Sequence, residues 1–147
     1  MELYRKEDAE NRDPQLTGEQ LEIFLRITDR TFPIPLSDKI DLSEYALKLE
    51  QKATICALRD DNGNILSMCA GYTDHVVKEM GYIALVATLP EYQGKNYGKK
   101  LVKEFLDIAD KKALCAVHVY AVETNRPAMK MYETLGFQRW FPQEETR

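Results

Sequence analysis

Residues Tyr82 to Val102 read YIALVATLPEYQGKNYGKKLV. From Gly81 to Leu89 the residues are nearly all apolar, as in a strand covered on both faces. A tight turn, Gln93-Gly94-Lys95-Asn96-Tyr97-Gly98, follows. Leu101, Val102, Phe105, Leu106, Ile108 and Ala109 then give the next helix a buried stripe. A strand, a turn and a helix start aim several backbone N–H groups at one point, and the helix start adds partial positive charge. The natural guest is an anion, most often a phosphate or pyrophosphate. Gly94 and Gly98 carry no Cβ to block its approach, and Asn96 accepts positive φ better than most residues. The spacing is neither the GxxxxGK[ST] of a P-loop nor a GxGxxG dinucleotide fingerprint. On these residues alone an ordinary strand-to-helix connection remains the alternative.

Downstream, Leu114 to Val122 (LCAVHVYAV) reads as another buried strand. Strand, helix and strand in this order imply a right-handed parallel crossover. Asn125 is a good N-cap, and Pro127 falls in the first helical turn, where a missing N–H costs little. Ala128, Met131, Tyr132 and Leu135 recur at helical spacing. Gly136 fits the left-handed position that closes a helix, with Phe137 folding back over its last turn and a strand GFQRWF following.

Upstream, residues 1–6 form a short edge strand. Thr17-Gly18-Glu19-Gln20 is a capping box that opens a helix from about Leu16 to Arg30. Phe32-Pro33-Ile34-Pro35 ends it. Asp41-Leu42-Ser43-Glu44 starts a second helix by the same capping logic. Ala53 to Arg59 is a strand, Asp61-Asn62-Gly63-Asn64 a hairpin turn, and Ile65 to about Thr73 the returning strand.

The length fits one domain, residues 1–147. A net charge of −4 disfavours a general nucleic-acid binder. Lys95, Lys99, Lys100 and Lys103 nevertheless gather at the glycine turn. No apolar run approaches the roughly 20 residues of a membrane helix. The charged start MELYRKEDAENRD lacks the apolar segment of a secretory signal, so the expected location is cytoplasmic. Cys56, Cys69 and Cys115 each lie in an apolar run and read as reduced, buried small hydrophobes. His75 and His118 are isolated and make no metal site.

Two segments together resemble one family. Gln93-Gly94-Lys95-Asn96-Tyr97-Gly98 resembles the Q/R-x-x-G-x-G/A acyl-CoA pyrophosphate motif of the GNAT N-acetyltransferase superfamily, and Leu89-Pro90-Glu91-Tyr92 resembles its lead-in. Asn125-Arg126-Pro127-Ala128-Met129-Lys130-Met131-Tyr132-Glu133-Thr134-Leu135-Gly136-Phe137 is similar to the family's second signature. The order of elements from residue 16 to 141 also matches. The resemblance implies an α/β fold: a central mixed sheet with helices on both faces and a V-shaped opening between the strands at Gly81–Leu89 and Leu114–Val122. It implies acetyl-CoA as cofactor, with Gly94, Lys95, Asn96, Tyr97, Gly98 and Lys99 amides on the pyrophosphate and Gln93 in the motif. Ala87 and Thr88 would pair with the pantetheine arm. Asn125 would make a polar contact near CoA, and Tyr132 would be the general acid that protonates the leaving thiolate.

Direct attack by an amine on a thioester needs a neutral amine, a stabilised oxyanion and a proton for sulfur, but no enzyme nucleophile. A free phenol has a pKa near that of a thiol, which suits Tyr132. For the base, Glu79 stands just before the central strand. Asp74, His75 and Glu123 are further candidates, and a water chain is another route. The acceptor is a small-molecule or peptide amine; the segment Phe32 to Leu49 resembles that of members that acetylate amino sugars. The two N-terminal helices and the loop Thr31–Ser37 would shape its site.

Two departures stand out. Asn96 replaces the usual middle glycine of the motif. Pro142 to Arg147 is too short and polar to supply the family's final strand, so either the chain is truncated or a second subunit covers that edge, as in a homodimer. A non-catalytic acyl-CoA-binding sensor or scaffold is the second reading. An ATP-binding domain is a third, disfavoured by the missing Walker residues.

Overall fold

A computed structural model describes residues 1–9, 16–74 and 76–139. His75 and the segment 140–147 lie outside the described residues, and with them the end of the strand expected over GFQRWF and the hexapeptide 142–147. Gly136 is in a turn, and residues 137–139 form no strand.

Among the described residues, five strands form one sheet in the order of the chain. They are β1 (Glu2–Lys6), β2 (Thr54–Arg59), β3 (Ile65–Tyr72), β4 (Met80–Thr88) and β5 (Ala116–Val119). The first four pair antiparallel with one another, and β5 runs parallel to β4. The parallel pair follows from the crossover helix α3 (Tyr97–Lys111). The sheet is therefore mixed, as expected.

Helices cover both faces. On one face α1 (Gly18–Thr28) and α2 (Leu42–Lys52) bury Leu21, Phe24, Leu25, Ala46 and Leu49 against Ile55, Met68, Leu85 and Ala87. On the other, α3 and α4 (Arg126–Thr134) bury Leu101, Val102, Phe105, Ile108 and Tyr132 against Cys56, Cys69 and Ile83. The capping box at α1 is complete: Gln20 N–H donates to Thr17 Oγ1, and Thr17 N–H to Gln20 Oε1. Asp41 caps α2 by accepting from the N–H groups of Ser43 and Glu44. The first helix stops two residues short of the expected Arg30, because Asp29–Thr31 tightens into a 3-10 turn.

Two expectations need correction. The segment Leu114–Val122 is not a buried strand: only Ala116–Val119 pairs, Ala116 is exposed, and the other three are half-buried. Its one strand neighbour among the described residues is β4, which leaves the other edge without a sheet partner there. Cys115 is exposed for the same reason, whereas Cys56 and Cys69 are buried. The central strand is also less uniformly covered than its composition implied, with buried and half-buried residues alternating along it.

Candidate active site

The site is built where β4 outruns β5. The register of the pair covers Met80–Ile83 against Ala116–Val119. Beyond Ile83, β4 continues to Thr88, paired among the described residues with β3 alone. The two parallel strands therefore part, and β4 offers an open backbone edge at Ala84–Thr88. This is the V-shaped opening.

The parting coincides with an irregularity. Ala70 faces Leu85 across β3 and β4, but Gly71 faces Ile83, so Ala84 is an extra residue without a partner. Such a bulge turns the following side chains over. Ile83 packs with α3, whereas Leu85 packs with α1 and α2.

At the far end of β4 stands the turn. Asn96 has φ +64° and ψ 23°, a left-handed conformation that asparagine tolerates, so it fills the place of the missing glycine. Gly94 has φ +81°, and nothing lies within 4 Å of where its Cβ would be. That position is strained for other residues and faces open space. Gly98 differs. A Cβ there would lie 3.3 Å from Val86 Cγ1 and 3.7 Å from Met131 Sδ. Its bare backbone allows close packing of α3 on β4 and α4.

The first backbone bond of α3 runs from Lys100 N–H to Asn96 O, 3.1 Å. The N–H groups of Tyr97, Gly98 and Lys99 precede it and have no acceptor within the helix. The Asn96 side chain makes no capping bond, and no acidic residue stands in the first turn. Lys95, Asn96 and Lys100 are exposed and Lys99 half-buried. The helix start thus keeps its positive end for a guest. Lys95 Nζ lies 5.6 Å from the ring centroid of Tyr92.

Hydrogen bonds fix the lead-in. Gln93 Nε2 donates to Thr88 O at 3.2 Å, tying the motif's first residue to the end of β4. Ser67 Oγ donates to Ala87 O at 3.2 Å, and the Ser67 and Thr88 hydroxyls lie 2.7 Å apart. Ala87 itself is buried against α1 and α2, so any contact with a pantetheine arm must come from the backbone edge.

Tyr132 is 8 % exposed. Burial, and secondarily Cys69, pushes its phenol well above the ordinary tyrosine range. The group therefore stays protonated and keeps a proton to donate, although it is a weaker acid than the free phenol considered from sequence. The end of α4 holds it in place. Phe137 N–H donates to Tyr132 O and Gly136 N–H to Glu133 O, both 3.0 Å. With Gly136 at φ +93° these bonds form a Schellman motif. Asn125 caps the other end of α4, its Oδ1 accepting from Ala128 N–H at 3.4 Å. Its amide oxygen is thereby used on the helix.

The structure brings together the turn, the open edge of β4, and α4 with Tyr132, because Gly98 sits against both Val86 and Met131. It does not bring Glu79 to them. Glu79 is exposed, with φ +57°, at the opposite end of β4, and its carbonyl accepts from Cys115 N–H at 2.9 Å. It lies five positions before Ala84, about 17 Å along a strand.

One feature of this region was missed from sequence. On the α1/α2 face the rings of Tyr72 and Tyr82 stack with centroids 6.3 Å apart, and Tyr82 and His118 at 4.8 Å. Tyr120 stands edge-on to both Tyr82 and His118. The signal was there as His118 and Tyr120 at strand spacing, but the facing partners come from register. The loop Thr31–Ser37 packs partly on the core through Phe32 and Leu36, while Ile34 is 48 % exposed.

No helix among the described residues is long and apolar enough to cross a membrane. Comparison with known proteins agrees with this geometry. A mycothiol acetyltransferase of Renibacterium salmoninarum is 36% identical over 61 residues, 42% of this chain and 18% of the relative. The chain thus aligns with about a fifth of the length of such relatives. A ribosomal-protein-alanine N-acetyltransferase structure from Brucella melitensis superposes with TM-score 0.70 at 15% identity, covering 100% of this chain and 99% of that one. A structure of AAC(6')-Iy in complex with the bisubstrate analogue CoA-S-monomethyl-acetylneamine gives TM-score 0.67 at 13% identity, covering 100% and 98%. These two likenesses show the fold. The model of the acetyltransferase (GNAT) family, whose acyl donor is acetyl-CoA, matches residues 21–137, and the chain belongs to that family.

Proposed function

We propose that the chain transfers an acetyl group from acetyl-CoA to a primary amine by direct attack. The observation that carries this reading is the junction of three parts. The α3 start has three N–H groups with no helical acceptor, β4 has an open backbone edge, and Tyr132 is buried and neutral beside them. The amides and side chains of Gln93 to Lys99 hold the pyrophosphate. The pantetheine arm lies along β4 at Ala87 and Thr88, which sets the thioester near Ala84, where the strands part. Asn125 acts by capping and orienting α4. Tyr132 gives its proton to the departing thiolate, so sulfur leaves as a thiol while the amine nitrogen bonds to the acetyl carbon.

Glu79 is the proposed base. Its distance from Ala84 requires the amine's proton to travel through water rather than in one direct step. The acceptor is a small-molecule or peptide amine, an amino sugar among the candidates; the relatives and neighbours are named for mycothiol, for ribosomal-protein alanine and for an acetylneamine analogue. The chain acts as one domain, and a homodimer is the proposed assembly. Thiol release from acetyl-CoA across a panel of primary amines tests the reaction. Turnover supports it. Tight acetyl-CoA binding without release for any amine would favour a CoA-binding module instead.

A further inference from the structure

The aromatic row on the α1/α2 face has a use that acetyl transfer alone does not require. Tyr72, Tyr82 and His118 face one another at paired positions of β3, β4 and β5. Tyr45 of α2 adds its phenol behind them, close enough that Tyr72 and Tyr82 help to hold it neutral. Lys48 Nζ sits 5.4 Å from the Tyr72 ring centroid, so the outer end of the row carries a resident cation. The faces of Tyr82 are taken by Tyr72 and His118. Tyr120 is the ring left open. It is 75 % exposed, tilted 70° to Tyr82 and 83° to His118, and Val122 beyond it is 44 % exposed. It directly follows Val119, the last residue of β5 to pair, so it stands where the strands part.

An exposed aromatic platform braced by a rigid stack, beside a cleft, is a place for the flat face of a ring. We infer that Tyr120, braced by Tyr82 and His118, selects primary-amine acceptors that bear a ring, aryl or pyranose, over ring-free amines. The inference rests on the acetyl-transfer reading only for the word acceptor. The platform itself is judged by amine binding.

The test is calorimetric titration of the chain, with and without CoA, using 2-phenylethylamine, glucosamine and butylamine. The expected result is that at least one ring-bearing amine binds about tenfold tighter than butylamine, the scale of one aromatic contact. The aryl and sugar arms identify which ring is preferred. Tyr120→Ala should remove the preference, and Tyr120→Phe should keep it. Equal affinity for all three amines, or an undiminished preference in Tyr120→Ala, overturns the inference. Failure of acetyl-CoA to bind is a separate result, since it defeats the transfer reading and leaves the amine comparison standing.

Discussion

The ring of Phe137 stands edge-on to that of Tyr132, with centroids 5.3 Å apart and planes at 68°. The same two residues are joined by the backbone bond from Phe137 N–H to Tyr132 O. The stop signal of α4 is therefore also the clamp on the proposed acid. Phe137→Ala should cost roughly 1–2 kcal/mol, for a half-buried ring and one aromatic pair. Gly136→Ala should cost about 1–2 kcal/mol for its left-handed backbone. Urea unfolding measures both. An unchanged midpoint in either variant would mean that the motif does not hold α4 shut.

Tyr132→Phe keeps the ring and removes only the hydroxyl. Turnover should fall on the order of 10²-fold, with the Michaelis constant for acetyl-CoA little changed, because only the transition-state proton is lost. Full turnover would remove Tyr132 from the mechanism. In the same assay Glu79→Gln isolates the base. A distant, water-linked carboxylate should cost less than the loss of the acid.

Gly98 and Gly94 separate packing from binding. Gly98→Val forces methyl groups against Val86 and Met131 and should destabilise the fold by about 1–3 kcal/mol. Gly94→Ala meets no neighbour and should lose CoA affinity with only the modest cost of a strained φ. Thermal unfolding alongside CoA titration distinguishes them, and the reverse pattern would misplace the anion site.

The thiols and phenols give a pH signature. Burial pushes Cys56 up to about 12 and raises Cys69, while Tyr45 and Tyr132 rise well above the tyrosine range. Their folded values exceed their unfolded ones, so the stability they add is complete below the unfolded thiol value, about pH 8.5. It is lost as pH rises, first through the thiols and then, above about 10, through the phenols. Urea midpoints should hold from pH 7 to 8 and fall beyond. A thiol reagent at neutral pH should label Cys115 at once, and Cys56 and Cys69 only on unfolding. Rapid labelling of all three would contradict the burial.

Much of this was legible where one residue type answers one local need. Thr17 with Gln20, Asp41, Asn125, and Gly136 with Phe137 mark helix ends by their own hydrogen bonds, and all four do so in the fold. Asn96 was legible as a left-handed residue for the same reason. What sequence did not show depends on pairs. The extra residue at Ala84 exists only relative to β3, and nothing in IALV marks it. The early end of β5, the exposure of Cys115 and the stacking of Tyr82 on His118 follow from which strand lies alongside. The packing of Gly98 was not legible either, because its neighbour Val86 lies twelve residues away on another element.

The most direct measurement is calorimetric titration of the purified chain with acetyl-CoA, using ATP as control. Micromolar acetyl-CoA binding without ATP binding is the predicted result, since the α3 start and the open edge of β4 together fit a pyrophosphate joined to an extended arm. Folded protein that binds neither, or that binds ATP as well as acetyl-CoA, would contradict it.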